Sequence, residues 1–174
     1  MENASSHISY VTQLRNEVVK IAEKNGFKES CYKTMLDYTT HNLESSGLGE
    51  KYYGYHNINH LLEIPLGTLL VGDSKQIPNL SQDDLKYLFV SAIFHDFEPE
   101  KVIDKPSEDN VLKNLSVDSK IKNLIRESGA DFEIIKALIL RTTYPWSGKL
   151  KVNGEKSIQK CFAGSEITKN NLKK

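Results

Sequence analysis

Two histidines stand four residues apart in YHNINHLLEI (residues 55–64), and a third follows 35 residues later beside an aspartate in AIFHDF (residues 92–97). His56, His60, His95 and Asp96 are therefore the side chains best suited to chemistry. Imidazole nitrogen and carboxylate oxygen together suit borderline and hard divalent ions, and a cation with an open position acidifies a bound water for attack on phosphorus. If His56 and His60 share a helix, their spacing places them on one face, about one turn apart. His95 and Asp96 would diverge by about 100° on a regular helix, so they serve one ion only where that helix ends and both face inward. A buried Asp96 needs a cation or hydrogen-bond donors. The alternative has the histidines bonded to backbone carbonyls and Asp96 capping a neighbouring helix.

The elements that must position these residues read as helices. Ile8, Val11, Leu14, Val18 and Ile21 form an apolar stripe that predicts a helix over residues 9–24, ending at Gly26 in a left-handed turn. Ser30 is placed to cap a second helix with Tyr32, Met35, Leu36, Thr39 and Leu43 on its inner face, stopping before SSGLG. GLG lacks the third glycine and the lysine of a phosphate-cradling loop, so it is no nucleotide signature. Residues 56–71 are apolar enough for a buried helix, which Pro65 should kink or divide in two. Ser81 and Asp84 form a capping box ahead of Leu85, Leu88, Phe89, Ala92 and Ile93, and Pro99 should end that helix near Phe97.

Further on, Ser107 caps a helix carrying Val111, Leu112 and Leu115. The phase then shifts to Val117, Ile121, Leu124 and Ile125, which means one bent helix or two short ones before Gly129. Ile134, Ile135, Leu138 and Ile139 make another helical face, ending at TYPWSG. GKLKVNGEK predicts a hairpin turn at Asn153 and Gly154. The expectation is an all-α, single compact domain over residues 1–174 with about six or seven helices.

Composition excludes other classes. With 39% hydrophobic and 26% charged residues and no apolar run near the ~18 residues of a membrane span, membrane insertion is not expected. MENASSHISY lacks the basic start and apolar stretch of a secretion signal, so the expected location is cytoplasmic. Cys31 and Cys161 are too far apart in sequence for a thiolate zinc knuckle and read as core residues. Formal charge is zero, although residues 149–174 hold seven lysines against Glu155 and Glu166. A short lysine-rich end reads as solvated surface, so nucleic-acid binding is not expected.

YHNINHLLEI followed by FVSAIFHDFEP resembles the HD superfamily of metal-dependent phosphohydrolases, with the best match over residues 52–143. In that family a histidine on one helix, a His-Asp doublet at the end of another and a later aspartate hold one or two divalent ions in an all-helical fold. The resemblance implies that His60, His95 and Asp96 are metal ligands. It makes His56 a pocket histidine that positions the water or protonates the leaving oxygen. Tyr55, the acidic segment FEPEKVIDKPSED and LILRTTYP are similar to features of several such proteins. Within LILRTTYP, Arg141 would neutralise a phosphate and Thr142 would donate a hydrogen bond to it, unless they are only surface charge and a helix cap. Tyr52, Tyr53 and Tyr55 either stack on a base or pack in the core.

No aspartate follows Asp131. The closing ligand is then Glu166, Asp131 or none. The implied activity is hydrolysis of a nucleotide or other small phosphorylated metabolite with Mn, Fe, Co, Ni, Zn or Mg. The competing reading is a catalytically degenerate HD-fold domain that senses a ligand or binds a protein. A homodimer stays open.

Overall fold

Why the helices stop where they do decides where the histidines lie. The computed structural model describes residues 9–161 apart from 75, 76, 78 and 79. Among these residues the chain forms eight helices and no strand. They are α1 (Tyr10–Lys24), α2 (Ser30–Ser45), α3 (Ile58–Asp73), α4 (Gln82–Phe94), α5 (Glu108–Val117), α6 (Ser119–Glu127), α7 (Phe132–Arg141) and α8 (Gly148–Cys161). The all-α expectation holds, with eight helices rather than six or seven.

Two segments account for the difference. The phase shift after Leu115 is a true break: Asp118 ends α5 and caps α6, its carboxylate accepting from the backbone N–H of Lys120 (2.8 Å) and Ile121 (3.1 Å). The expected hairpin around Asn153 and Gly154 is instead the middle of α8. Gly154 is buried, and a Cβ there would meet the Trp146 ring at 2.6 Å, so the glycine serves packing rather than turning. Trp146 lies in the loop between α7 and α8, and its ring also stacks under Arg141 at the end of α7.

Other expectations shift by small amounts for local reasons. Ser9 caps α1, accepting from Thr12 N–H at 3.2 Å, and Gly26 takes the left-handed turn at φ 90°. Ser30 lies inside α2, and Glu29 occupies the cap position. The Ser81–Asp84 capping box forms with both of its reciprocal bonds. Pro65 neither ends nor divides α3. Packing against α1 and α4 holds that helix through the missing donor, as tertiary contacts supply most helical stability in proteins.

The main core draws on every helix from α1 to α7. Phe89 is fully buried at its centre, with its ring 5.5 Å from Phe27 and 5.8 Å from Tyr32 between centroids. Cys31 is buried, and burial pushes its thiol pKa up, which fits a packing role. The side chain of Cys161 lies outside the described residues. No helix among the described residues is long and apolar enough to cross a membrane. The site therefore forms where the start of α3 meets the end of α4.

Candidate metal centre

Asn57 creates the first half of the site. Its side-chain oxygen accepts from the backbone N–H of Asn59 (2.9 Å) and His60 (3.1 Å), and its amide donates to Gly54 O (2.9 Å). α3 thus begins at Ile58, with His60 in its first turn and His56 just outside it. The two histidines do not share a helix as the spacing suggested. The capping turn nevertheless brings them together, with ring centroids 5.5 Å apart at an interplanar angle of 80°.

The second half comes from the end of α4. The helix stops at Phe94, short of the expected Phe97, and His95 is its C-cap. Phe97 N–H then donates to Phe94 O at 3.1 Å and Glu98 N–H to Asp96 O at 2.8 Å, tightening the chain just past the helix. His95 itself keeps helical backbone angles, φ −57° and ψ −34°. His95 and Asp96 both reach one point, with His95 Nε2 3.0 Å from Asp96 Oδ2.

Three ligand-type atoms meet there. His60 Nε2 lies 3.1 Å from Asp96 Oδ2 and 3.3 Å from His95 Nε2. Ligand atoms about 2.1 Å from one cation and subtending 90–109° lie about 3.0–3.4 Å apart, so the spacing fits a common cation. His56 Nε2 stands further back, 3.9 Å from Asp96 Oδ2. His56, His60 and Asp96 each offer an atom within 4.8 Å of the others, a group able to hold a metal ion.

Hydrogen bonds determine what these atoms offer. His95 Nδ1 faces Ala92 O at 2.8 Å, and a carbonyl only accepts, so Nδ1 carries a proton; in the neutral tautomer that leaves the lone pair of Nε2 turned inward, open to a cation. Burial would raise the Asp96 pKa, but hydrogen bonds from His60 and His95, with charge on His95 and His56, outweigh it and hold the carboxyl well below its usual 3.8. Asp96 is thus an anion with 19% of its side chain exposed, facing imidazole nitrogens. Protons or a metal ion must lie between them.

No protein-family model, curated protein or solved structure matches the chain. The site stands on its own geometry.

The other sequence candidates fall in different places. Arg141 and Thr142 line a cleft of about 270 Å³ with His95, Ile64, Leu88, Ser91, Ala92 and Leu138, between α3, α4 and α7. The Arg141 guanidinium stacks on Trp146 at 4.2 Å, and Thr142 Oγ1 donates to Ile139 O at 2.7 Å. The Thr142 proton is therefore engaged by backbone, and its hydroxyl can accept from a ligand but not donate as expected. Asp131 caps α7, accepting from Glu133 N–H (2.8 Å) and Ile134 N–H (3.3 Å), and is not part of the His/Asp group. Glu166 lies outside the described residues. Tyr52 is half-buried against Leu43, Leu48 and Leu61, whereas Tyr53 is fully exposed. Tyr55 is exposed at the site's edge, its ring 4.4 Å from that of His60.

Sequence reasoning missed the residues behind His56. Asp104 contacts its Nδ1 at 3.3 Å, and Lys101 donates to its backbone carbonyl at 2.6 Å. The acidic segment containing both stood out in the sequence, but nothing in its spacing said which residue would turn back 48 positions.

Proposed function

We propose that this chain is an HD-type metal-dependent phosphohydrolase acting on a nucleotide or another small phosphorylated metabolite. The observation that carries the reading is the meeting of His60 Nε2, His95 Nε2 and Asp96 Oδ2 at separations of 3.0–3.3 Å. A divalent ion bound by these atoms supplies Lewis acidity, which lowers the pKa of a water and offsets charge on phosphoryl oxygens. Two or three imidazoles with one carboxylate suit Mn, Fe, Co, Ni or Zn better than Mg, which prefers oxygen ligands.

The chain's own residues do the rest. Arg141 offers positive charge at the rim of the cleft that His95 also lines. Its stacking on Trp146 limits the motion of the planar guanidinium, which favours paired hydrogen bonds to phosphate oxygens. Ile64, Leu88, Ala92 and Leu138 give the cleft apolar walls for the substrate's uncharged part.

Phosphate release from a panel of nucleotides, sugar phosphates and alkyl phosphates, with the full chain loaded with Mn, Fe, Co, Ni or Zn, tests the reading. Turnover should appear and should fall at least about 100-fold in H60A, H95A and D96A, in step with lost metal. R141A should raise KM more than it lowers kcat. A metal-loaded chain inert across the panel refutes the hydrolase. That result would favour the second reading, a ligand-sensing or protein-interaction domain. One observation speaks for it: α7 brings Arg141 and Thr142 to the cleft beside the doublet, and no carboxylate.

A further inference from the structure

A neutral histidine offers a cation a lone pair only at the nitrogen that carries no proton, so the partner of its other nitrogen decides its role. At His56 that partner is Asp104, whose Oδ2 lies 3.3 Å from Nδ1, while Nε2 faces Asp96. Asp104 also accepts from the backbone N–H of Tyr55 (3.2 Å) and His56 (3.3 Å). One carboxylate thus grips both the ring and the backbone that carries it.

Asp104 is itself held. The Lys101 side chain is only 2% exposed; it donates to Asp104 O and His56 O and lies 3.5 Å from Asp104 Oδ1. Its ammonium also sits over the Tyr52 ring, 5.2 Å from the centroid. An ammonium this deep requires such acceptors, and those it has converge on the attachment of one ring. Gly54 leaves the space: a Cβ there would collide with Asp104 Oδ1 and the Tyr52 ring. Glu98 closes the base of the loop, its carboxylate accepting from Ser107 N–H (2.7 Å) and Asn110 Nδ2 (2.6 Å).

We propose that Asp104, pinned by Lys101, locks the His56 ring with its proton on Nδ1 and its Nε2 lone pair toward Asp96, making His56 the fourth ligand of the cation. The inference rests on the metal-centre reading and deepens it, because it supplies a closing ligand in a chain with no aspartate after Asp131. A ligating Nε2 has no proton to give, so His56 is not the general acid. Asp104 and Lys101 are positioning residues that act through it.

The test uses the full-length, ¹⁵N-labelled, metal-free chain, in which long-range ¹H–¹⁵N spectra read the imidazole tautomer. His56 should carry its proton on Nδ1 in the wild type and in D104N, which keeps an acceptor oxygen, and shift toward the Nε2–H form in D104A and K101M. Calorimetric titration with Zn²⁺ should show H56A and D104A each weakening binding by about 10–100-fold. The double variant H56A/D104A should bind no more weakly than H56A, because Asp104 acts only through the ring. A wild-type ring protonated on Nε2, or a D104A penalty undiminished in the H56A background, overturns the proposal. If H60A and D96A leave the titration unchanged, the metal centre is refuted and the ligand role of His56 falls with it, while the tautomer still reports on the clamp.

Discussion

Asp96 sits under opposing influences, since burial disfavours its charge while the imidazoles of His60 and His95 favour it, and the imidazoles win. Its pKa is lower in the folded chain than the usual 3.8. The sign of the pH dependence follows: the ionised group contributes stability above about pH 4, and that contribution is lost as pH falls through the depressed native pKa. Urea titrations in chelator should therefore show wild type more stable than D96N at pH 6, with the gap closing as the buffer is taken from pH 4 toward pH 2. A gap that stays constant across that range would mean the charge of Asp96 contributes nothing to the fold. A cation held by Asp96 together with the imidazoles would be released on acidification, because each ligand must be deprotonated where it binds.

At the scale of the helices, apolar spacing made the cores of α1, α2, α4 and α7 legible: Leu14, Val18, Met35, Leu36, Phe89, Ile93, Ile135 and Ile139 are all buried as their stripes require. Ends were harder, because they depend on which polar side chain wins a backbone donor. Asn57, not His56, sets the start of α3, and Asp118 divides α5 from α6. The sequence of α8 resembles a hairpin because Gly154 has the local chemistry of a turn, whereas its tertiary role is to admit Trp146. In the site, His60, His95 and Asp96 could be chosen by ligand chemistry and the resemblance, whereas Asp104 is a long-range partner that no local pattern encodes. Two substitutions separate these levels. D118A removes a cap and the acceptor of Tyr38 Oη, a hydrogen bond of 2.5 Å, and should cost about 1–2 kcal/mol in denaturant unfolding. F89A empties the centre of the core and should cost about 3–5 kcal/mol, with no change in the denaturant slope.

For the whole molecule, the cation's proposed ligands belong to three stretches: the turn before α3, the first turn of α3 and the turn after α4. None is positioned in the unfolded chain, so an ion bound by all of them ties the α3–α4 pairing at its open end and binds the native state alone. Free ion at 100 times its Kd then adds about 2.7 kcal/mol of stability. For a chain of this size that corresponds to a rise in Tm of roughly 5–10 °C. Thermal unfolding of the wild type in Mn²⁺ or Zn²⁺ should show that rise and lose it on adding chelator. H60A and D96A should show none at the same ion concentration, while R141A, whose side chain lies across the cleft on Trp146, should keep it in full. Equal shifts in D96A and wild type would place the ion elsewhere on the surface. The contrast between D96A and R141A separates loss of the site from general damage to the fold, because both variants remove one charged side chain from the same region and only D96A removes a proposed ligand.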